Sequence, residues 1–215
     1  ASGLGVGLAM LGLVQSLRWL FFTIGGSRSG PDFGAASLIA GGLLWGYYEW
    51  VMSKSGGDVP LLRRLYIYGY SGVGASLTVM GFIGLQQWLF TRFTGNELFG
   101  LPDALAWLVT GLPFWLYFWI WAGRLFATGP AEERKSDLRK AYLYAVIYIA
   151  VHGVIITAAL VVNGMLRALF GLPTEGDLGL SIAVIVAMSA LWAHHAFVLN
   201  ADIKRSGESS LQGNM

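Results

Sequence analysis

The sequence predicts an all-α membrane protein, a polytopic transmembrane bundle of about six helices. Two observations lead to this prediction. Apolar residues make up 55% of the 215 residues and charged residues only 12%, about half of the roughly 25% found in soluble domains. The apolar residues also form six long runs without the period-two alternation of a barrel strand, and in lipid only helices and closed barrels satisfy the backbone.

Each run is near or above the length of about 20 residues that a helix needs to cross a bilayer. The first run lacks the basic start of a signal peptide, so we expect it to be a true span. Glycine and proline are concentrated in the connectors, where they favour turns. In chain order the runs cover residues 3–24, 34–51, 65–90, 104–126, 141–166 and 178–199.

Charge predicts the orientation of these spans. Ten of the fourteen lysines and arginines lie in the connectors after the second and fourth runs and in the C-terminal tail. Because basic loops stay in the cytoplasm, we expect both termini there, in a multi-pass protein of the inner (cytoplasmic) membrane. The ten are Lys54, Arg63, Arg64, Arg124, Arg134, Lys135, Arg139, Lys140, Lys204 and Arg205.

The chain also contains an internal repeat. Arg63-Arg64-Leu65-Tyr66-Ile67-Tyr68 opens the third run, and Arg139-Lys140-Ala141-Tyr142-Leu143-Tyr144 opens the fifth, 76 residues later. Trp45, Trp115 and Trp192 occupy matching places in the even-numbered runs. We therefore predict a single membrane domain of three helical hairpins, at about 1–56, 57–132 and 133–203, with a polar tail at 204–215. The first hairpin lacks the basic start, so we expect a truncated or processed N-terminus.

The repeated residues are predicted to be anchors at the membrane surface. Basic side chains extend toward headgroups, and tyrosine and tryptophan rings prefer the interface. An anchoring role requires no chemistry of its own. The predicted anchors are Arg63, Arg64, Tyr66, Tyr68, Arg139, Lys140, Tyr142, Tyr144, Trp45, Trp115 and Trp192.

This pattern resembles a family of bacterial membrane proteins of unknown function. The resemblance rests on the Arg-Arg-x-Tyr-x-Tyr starts and on the tryptophan-rich return helices, and it covers most of the second to sixth runs. It implies the helical-hairpin fold. It transfers no catalytic residue, because the family has no assigned activity.

Three histidines are candidates for binding a cofactor: His152 in the fifth run, and His194 and His195 near the end of the sixth. Neutral imidazole can ligate haem iron or a chlorophyll magnesium. His152 lies about 16 Å into its run and His194 about 8 Å from the same face, at 1.5 Å per residue. This mismatch disfavours a haem held by both and allows a pigment held by one. His194 and His195 also fall where the other hairpins have aromatic residues, so interfacial anchoring is the alternative.

Glu49 is the one acidic residue well inside an apolar run. A carboxylate in a membrane span is a candidate for a proton relay or an ion site. Glu49 also lies about one turn before Lys54 and close in sequence to Arg63 and Arg64. We favour an ion pair with those arginines at the interface.

No pattern predicts an enzyme. The chain has no cysteine, which excludes disulfides, thiolate catalysis and cysteine-based metal sites. No metalloprotease motif, no pair of carboxylates within the membrane and no nucleophile triad is present. The net charge of +2 does not suggest nucleic acid as a partner.

We therefore expect a membrane scaffold or accessory subunit that packs against other membrane subunits and requires no cofactor. Glycine pairs of the GxxxG type, Gly3/Gly7 and Gly42/Gly46, let helices approach closely. A bioenergetic complex is one assembly of this kind. Two alternatives remain open. The first is a haem- or chlorophyll-type cofactor protein that uses His152 and His194 or His195. The second is a small-solute transporter dependent on Glu49, which is disfavoured because only Pro113 interrupts a span.

Overall fold

The computed structural model describes residues 2–26, 34–55, 60–94, 100–128, 137–173 and 176–212. These segments are helical apart from short turns, so the predicted all-α class is confirmed. Arg28, Arg134 and Lys135 lie outside the described residues, as do most of the predicted connectors. The helices are α1 (Ser2–Ile24), α2 (Gly34–Ser55), α3 (Pro60–Thr94), α4 (Leu101–Thr128), α5 (Asp137–Leu169) and α6 (Leu178–Gln212).

Three helix ends have a clear local cause. Gly26 adopts a φ of 86° after α1, and Gly171 a φ of 67° after α5; only glycine takes this left-handed conformation without strain. At the start of α6, the Asp177 carboxylate accepts hydrogen bonds from the backbone nitrogens of Gly179 (2.7 Å) and Leu180 (3.1 Å). This is an N-terminal cap that satisfies donors with no partner inside the helix.

Five of the described helices, α1, α3, α4, α5 and α6, are long and apolar enough to cross a membrane. The exception is α2. Its 22 residues would extend about 33 Å at 1.5 Å per residue, enough for a span. However, four glycines, two tyrosines and Glu49 dilute its apolar character. Each of the six predicted spans therefore corresponds to a helix, and five of these helices are also apolar enough to cross a membrane.

The chain forms two compact units, residues 1–120 and 121–215. In the first unit, glycines bring α1 and α2 together. A Cβ atom added at Gly5 would lie 2.6 Å from the Trp45 backbone nitrogen, and one at Gly12 would overlap the backbone at Leu38. Gly34 and Gly41 present the matching faces on α2. Each pair is seven residues apart, which is two helical turns, so the glycines of each helix lie on one face.

Helices α3 and α4 approach each other in the same way within the first unit. A Cβ at Gly74 would lie 2.6 Å from the Trp115 backbone nitrogen, and one at Gly111 would lie 2.5 Å from that of Thr78. Glycine at these positions lets the backbones come closer than any side chain would allow.

In the second unit, α5 packs against α6 through somewhat larger side chains. Ala150, Ala183 and Ala187 are buried, and a Cβ at Gly153 would meet the flexible Met188 side chain at 3.1 Å. In the most apolar 18-residue segment of α5, only 6% of the residues are buried, whereas 33% are buried in the corresponding segment of α1. Most of the surface of α5 is therefore apolar and is not covered by α6.

Candidate functional site

The first candidate site is built around Glu49, near the C-terminal end of α2. The Oε1 atom of Glu49 accepts a hydrogen bond from Trp45 Nε1 at 3.3 Å and from the Tyr66 hydroxyl at 3.5 Å. Both distances are long, since hydrogen bonds to oxygen usually measure 2.7–3.2 Å from nitrogen and 2.5–3.0 Å from a hydroxyl. The carboxylate is exposed, and within the described residues these two bonds replace the expected ion pair with Arg63 or Arg64.

Aromatic side chains from three helices form a series of ring contacts next to this carboxylate. The Trp45 ring lies 6.4 Å from Tyr117, Tyr117 lies 5.1 Å from Phe118, and Phe118 lies 5.6 Å from Tyr66. Glu49 connects Trp45 to Tyr66, because it accepts a hydrogen bond from each of them. We call these five residues the Glu49 cluster. Phe118 is buried at its base and Tyr117 is 53% exposed, so the cluster is open on one side.

Tyr70 extends the aromatic packing toward α1. Its ring lies 5.1 Å from that of Tyr66, and its hydroxyl donates a hydrogen bond to the carbonyl oxygen of Gly3. A Cβ at Gly3 or Gly7 would lie 3.3 or 3.7 Å from that hydroxyl. The GxxxG pair of α1 therefore makes room for a tyrosine within the first unit.

A second cluster lies in the second unit around His195. This histidine is fully buried, and its ring lies 5.1 Å from His194 and 5.9 Å from Tyr142. Its Nδ1 atom is 2.9 Å from the carbonyl oxygen of Leu191. A carbonyl only accepts, so a neutral His195 carries its proton on Nδ1. The sequence offered His195 as a cofactor ligand or an interfacial anchor, and both remain predictions; the structure shows that its side chain is buried.

Arg139 and Asp202 form an ion pair beside this cluster. The Nε and Nη2 atoms of Arg139 lie 2.7 and 3.4 Å from the two carboxylate oxygens of Asp202, a two-point contact. Arg139 is only 5% exposed, and its guanidinium also stacks over Phe126 at 4.4 Å. A predicted surface anchor is therefore a buried link between α5 and α6.

The third histidine, His152, lies apart from His195 on the exposed side of α5. Its Nδ1 atom is 2.8 Å from the carbonyl oxygen of Tyr148, and its ring stacks on the Tyr148 ring at 3.9 Å. The neutral imidazole therefore carries its proton on Nδ1, and the Nε2 lone pair is left for a ligand. An open groove of about 650 Å³ adjoins it, lined by Tyr144, Tyr148, Ile149 and other residues of α5.

One metal cannot be held by both sites. Tyr142 contacts His195, and His152 follows Tyr142 by ten residues on the same helix, a rise of about 15 Å. This separation agrees with the depth mismatch inferred from the sequence. Among the residues that the structure describes, no group of three or more histidine, aspartate or glutamate side chains could hold a metal ion.

The predicted anchors fall into three groups by exposure. Lys140, Tyr144 and Trp192 are exposed, as interfacial residues should be. Tyr68 is buried, like Arg139, and the remaining anchors are partly buried. Their anchoring role stays a prediction. The partly buried ones are Arg63, Arg64, Tyr66, Tyr142, Trp45 and Trp115.

The sequence analysis missed two acidic partners. Asp103 at the start of α4 pairs with Arg18 of α1 at 2.5 Å, and Asp202 pairs with Arg139. The predicted topology contained a clue to the pair of Arg18 and Asp103. It places the end of α1 and the start of α4 at the same membrane face, so residues there can meet. The signal for Asp202 was the absence of any helix breaker before Gly207.

The fold places the chain in the class of multi-pass helical membrane proteins, since five described helices are long and apolar enough to span a bilayer. Within that class, residues 64–203 match DUF5671, a family described as a domain of unknown function, and the chain belongs to this family. The match covers most of α3 and the whole of α4 and α5, and ends within α6. No curated protein and no solved structure matches the chain. The repeat motif and the bacterial origin stay predictions.

Proposed function

We propose that this chain is a membrane scaffold or accessory subunit, and that α2 is the helix that packs against another membrane protein. The observation that carries the proposal is the open glycine face of α2. Apart from the adjoining backbone of α2 itself, no described atom lies within 4 Å of a Cβ added at Gly42 or Gly46. By contrast, Gly34 and Gly41 of the same helix contact α1 closely. The GxxxG face of α2 is therefore not used within the described part of the first unit.

The composition of α2 supports a protein rather than lipid as the occupant of this face. Leu43, Tyr47 and Trp50 are 70%, 57% and 55% exposed, and Glu49 is exposed as well. Yet α2 is the described helix that lacks the apolar character of a span. Polar and charged groups are costly against lipid, whereas small residues and aromatic rings are common where membrane helices pack together. Cytoplasmic placement of both termini, inferred from charge, remains part of the proposal.

Bulky residues on the glycine face test the proposal. The protein is extracted from its native membrane in mild detergent, and co-purifying subunits are quantified by mass spectrometry. We expect the wild type to carry a stoichiometric partner, and Gly42→Leu/Gly46→Leu to lose it because the leucines prevent close approach. Gly164→Leu is the matched control, since Gly164 is a helical glycine in the other unit that is equally open.

Two outcomes contradict the scaffold role. One is a wild-type chain that leaves its native membrane without a stoichiometric partner. The other is a partner retained by Gly42→Leu/Gly46→Leu as fully as by the control, with both variants equally stable to heat.

A second candidate function is the binding of a haem- or chlorophyll-type cofactor, and the proton position of His152 favours it. In metal-bound histidines, the ring nitrogen that does not bind the metal commonly donates a hydrogen bond to a carbonyl oxygen. Nδ1 of His152 makes such a bond to Tyr148. The surface beside it is open, almost wholly apolar and formed by α5 alone, so His152 is accessible to a macrocycle from outside the second unit. His195 is fully buried, which makes His152 the better ligand.

An absorbance titration of the purified chain with iron protoporphyrin IX tests this candidate. We expect a saturable Soret shift that is lost in His152→Ala and kept in His194→Ala. No saturable shift, or a shift that both variants retain, removes the cofactor function.

A further inference from the structure

The Glu49 carboxylate has few partners among the described residues of this membrane protein. It lies six residues before the end of α2, about 9 Å from that end. Its Oε1 atom has the two long hydrogen bonds described above, and Oε2 accepts none from the described part of the chain. An ionised carboxylate offers about four acceptor positions. Most of its acceptor positions are therefore open to water or to a ligand.

The nearest basic residue on the same helix does not neutralise this charge. Lys54 places its ammonium 4.3 Å from the centre of the Trp50 ring. In the same unit, Arg18 is paired with Asp103. Glu49 itself takes part in no ion pair among the described residues. A negative charge is thus held at the surface of a membrane helix without a positive partner from the part of the chain that is described.

The groups beside Glu49 have the chemistry that attracts an organic cation. Trp45 and Tyr66 contact the carboxylate through polar atoms at the edges of their rings. The Trp45 ring also makes an edge contact with the exposed Tyr117 ring. Aromatic faces attract cations, tryptophan most strongly, and aromatic cages of this kind recognise quaternary ammonium groups. A carboxylate at the same place supplies the opposite charge.

An inorganic cation fits this site poorly. Calcium and magnesium require six or more oxygen ligands, whereas the structure places one carboxylate and one tyrosine hydroxyl together. An alkylated ammonium needs no oxygen shell and buries its apolar groups against rings. Tyr117 is 53% exposed, so a ligand can reach the cluster from that side.

We propose that the Glu49 cluster is a binding site for a lipophilic organic cation of the quaternary ammonium type. The carboxylate balances the charge of the ligand, Trp45 and Tyr117 contact its apolar groups, and Phe118 closes the base. The site needs only residues of this chain. Glu49 follows Gly42 by seven residues and lies on the same face of α2. A partner on that face would compete with the ligand, so the test uses the isolated protein.

Equilibrium dialysis of the detergent-purified full chain against radiolabelled benzyltrimethylammonium tests the proposal, with empty micelles as the blank. We expect saturable binding of one cation per chain. Glu49→Gln should weaken the affinity at least tenfold, and Trp45→Leu several-fold. The matched controls are Asp137→Asn and Trp192→Leu, which remove an exposed carboxylate and an exposed tryptophan in the other unit; both should bind like the wild type.

A measurement without any substitution keeps the test decisive if a variant fails to fold. The neutral carbon isostere, neopentylbenzene, should not compete with the labelled cation on the wild type beyond its partition into micelles. The proposal is overturned by three results: no saturable binding to the wild type, equal competition by the neutral compound, or unchanged affinity in a folded Glu49→Gln protein.

Discussion

At the scale of single residues, two kinds of glycine occur on the same helix and have opposite consequences. Gly41 of α2 contacts the α1 backbone so closely that no side chain fits, whereas Gly42 faces open space. The identity of the residue is the same, and only the surroundings differ. Sequence alone does not distinguish them, because both occur within one apolar run.

This difference predicts contrasting effects of alanine. In Gly12→Ala the new methyl would lie under 3.0 Å from the α2 backbone, so the helices must separate, at a cost of about 1–3 kcal/mol for overpacking. In Gly42→Ala the methyl meets nothing, and stability should stay the same or rise slightly. Unfolding by sodium dodecyl sulfate in mixed micelles, followed by circular dichroism, measures both. Equal stability of the two variants would show that α1 and α2 do not pack through Gly12.

The Glu49 cluster shows what residue patterns predict and what they omit. The sequence alone identified Glu49 as a candidate, because a carboxylate in an apolar run is costly. Its neighbours were not predictable, since Tyr66 and Tyr117 belong to other helices. Sequence proximity favoured the arginines, but the distances place an indole and a phenol beside the carboxylate instead.

At the scale of helices, apolar runs predicted the number and class of the elements but not their ends. The sixth run was predicted to stop at residue 199, whereas α6 continues to Gln212. Hydropathy marks where the chain leaves the hydrocarbon, while a helix ends only where its backbone bonding or capping changes. Asp202 lies in this extension, and for that reason its pairing with Arg139 was missed.

The ion pair of Arg139 and Asp202 links α5 to α6, so we expect its removal to lower the free energy of unfolding. Asp202→Ala would leave the buried guanidinium without its carboxylate, which typically costs about 3–5 kcal/mol. Replacing both residues by leucine should recover much of this loss, because the buried charge is then absent as well. The free energy of unfolding in mixed micelles gives both values, with Asp137→Ala as the exposed control. A double variant as unstable as Asp202→Ala would show that the lost charge is not the cause.

At the scale of the whole molecule, the two units present different surfaces. The outer side of α5 is apolar and branched, as Ile149, Ile155 and Ile156 illustrate, each 59% exposed. Such a surface suits lipid chains. The outer side of α2 carries glycines, tyrosines and a carboxylate, which suit a neighbouring protein. This contrast was visible in the composition of the two runs, but the open glycine face required the structure.

The most direct test of the scaffold role asks what covers the outer face of α2 in the native membrane. A photo-crosslinking amino acid is placed at Gly42 in the intact membrane, and a second preparation carries it at Ile156 of α5. The account predicts a discrete protein adduct from position 42 and lipid adducts from position 156. Lipid adducts alone from position 42, at the same yield as from position 156, would contradict it.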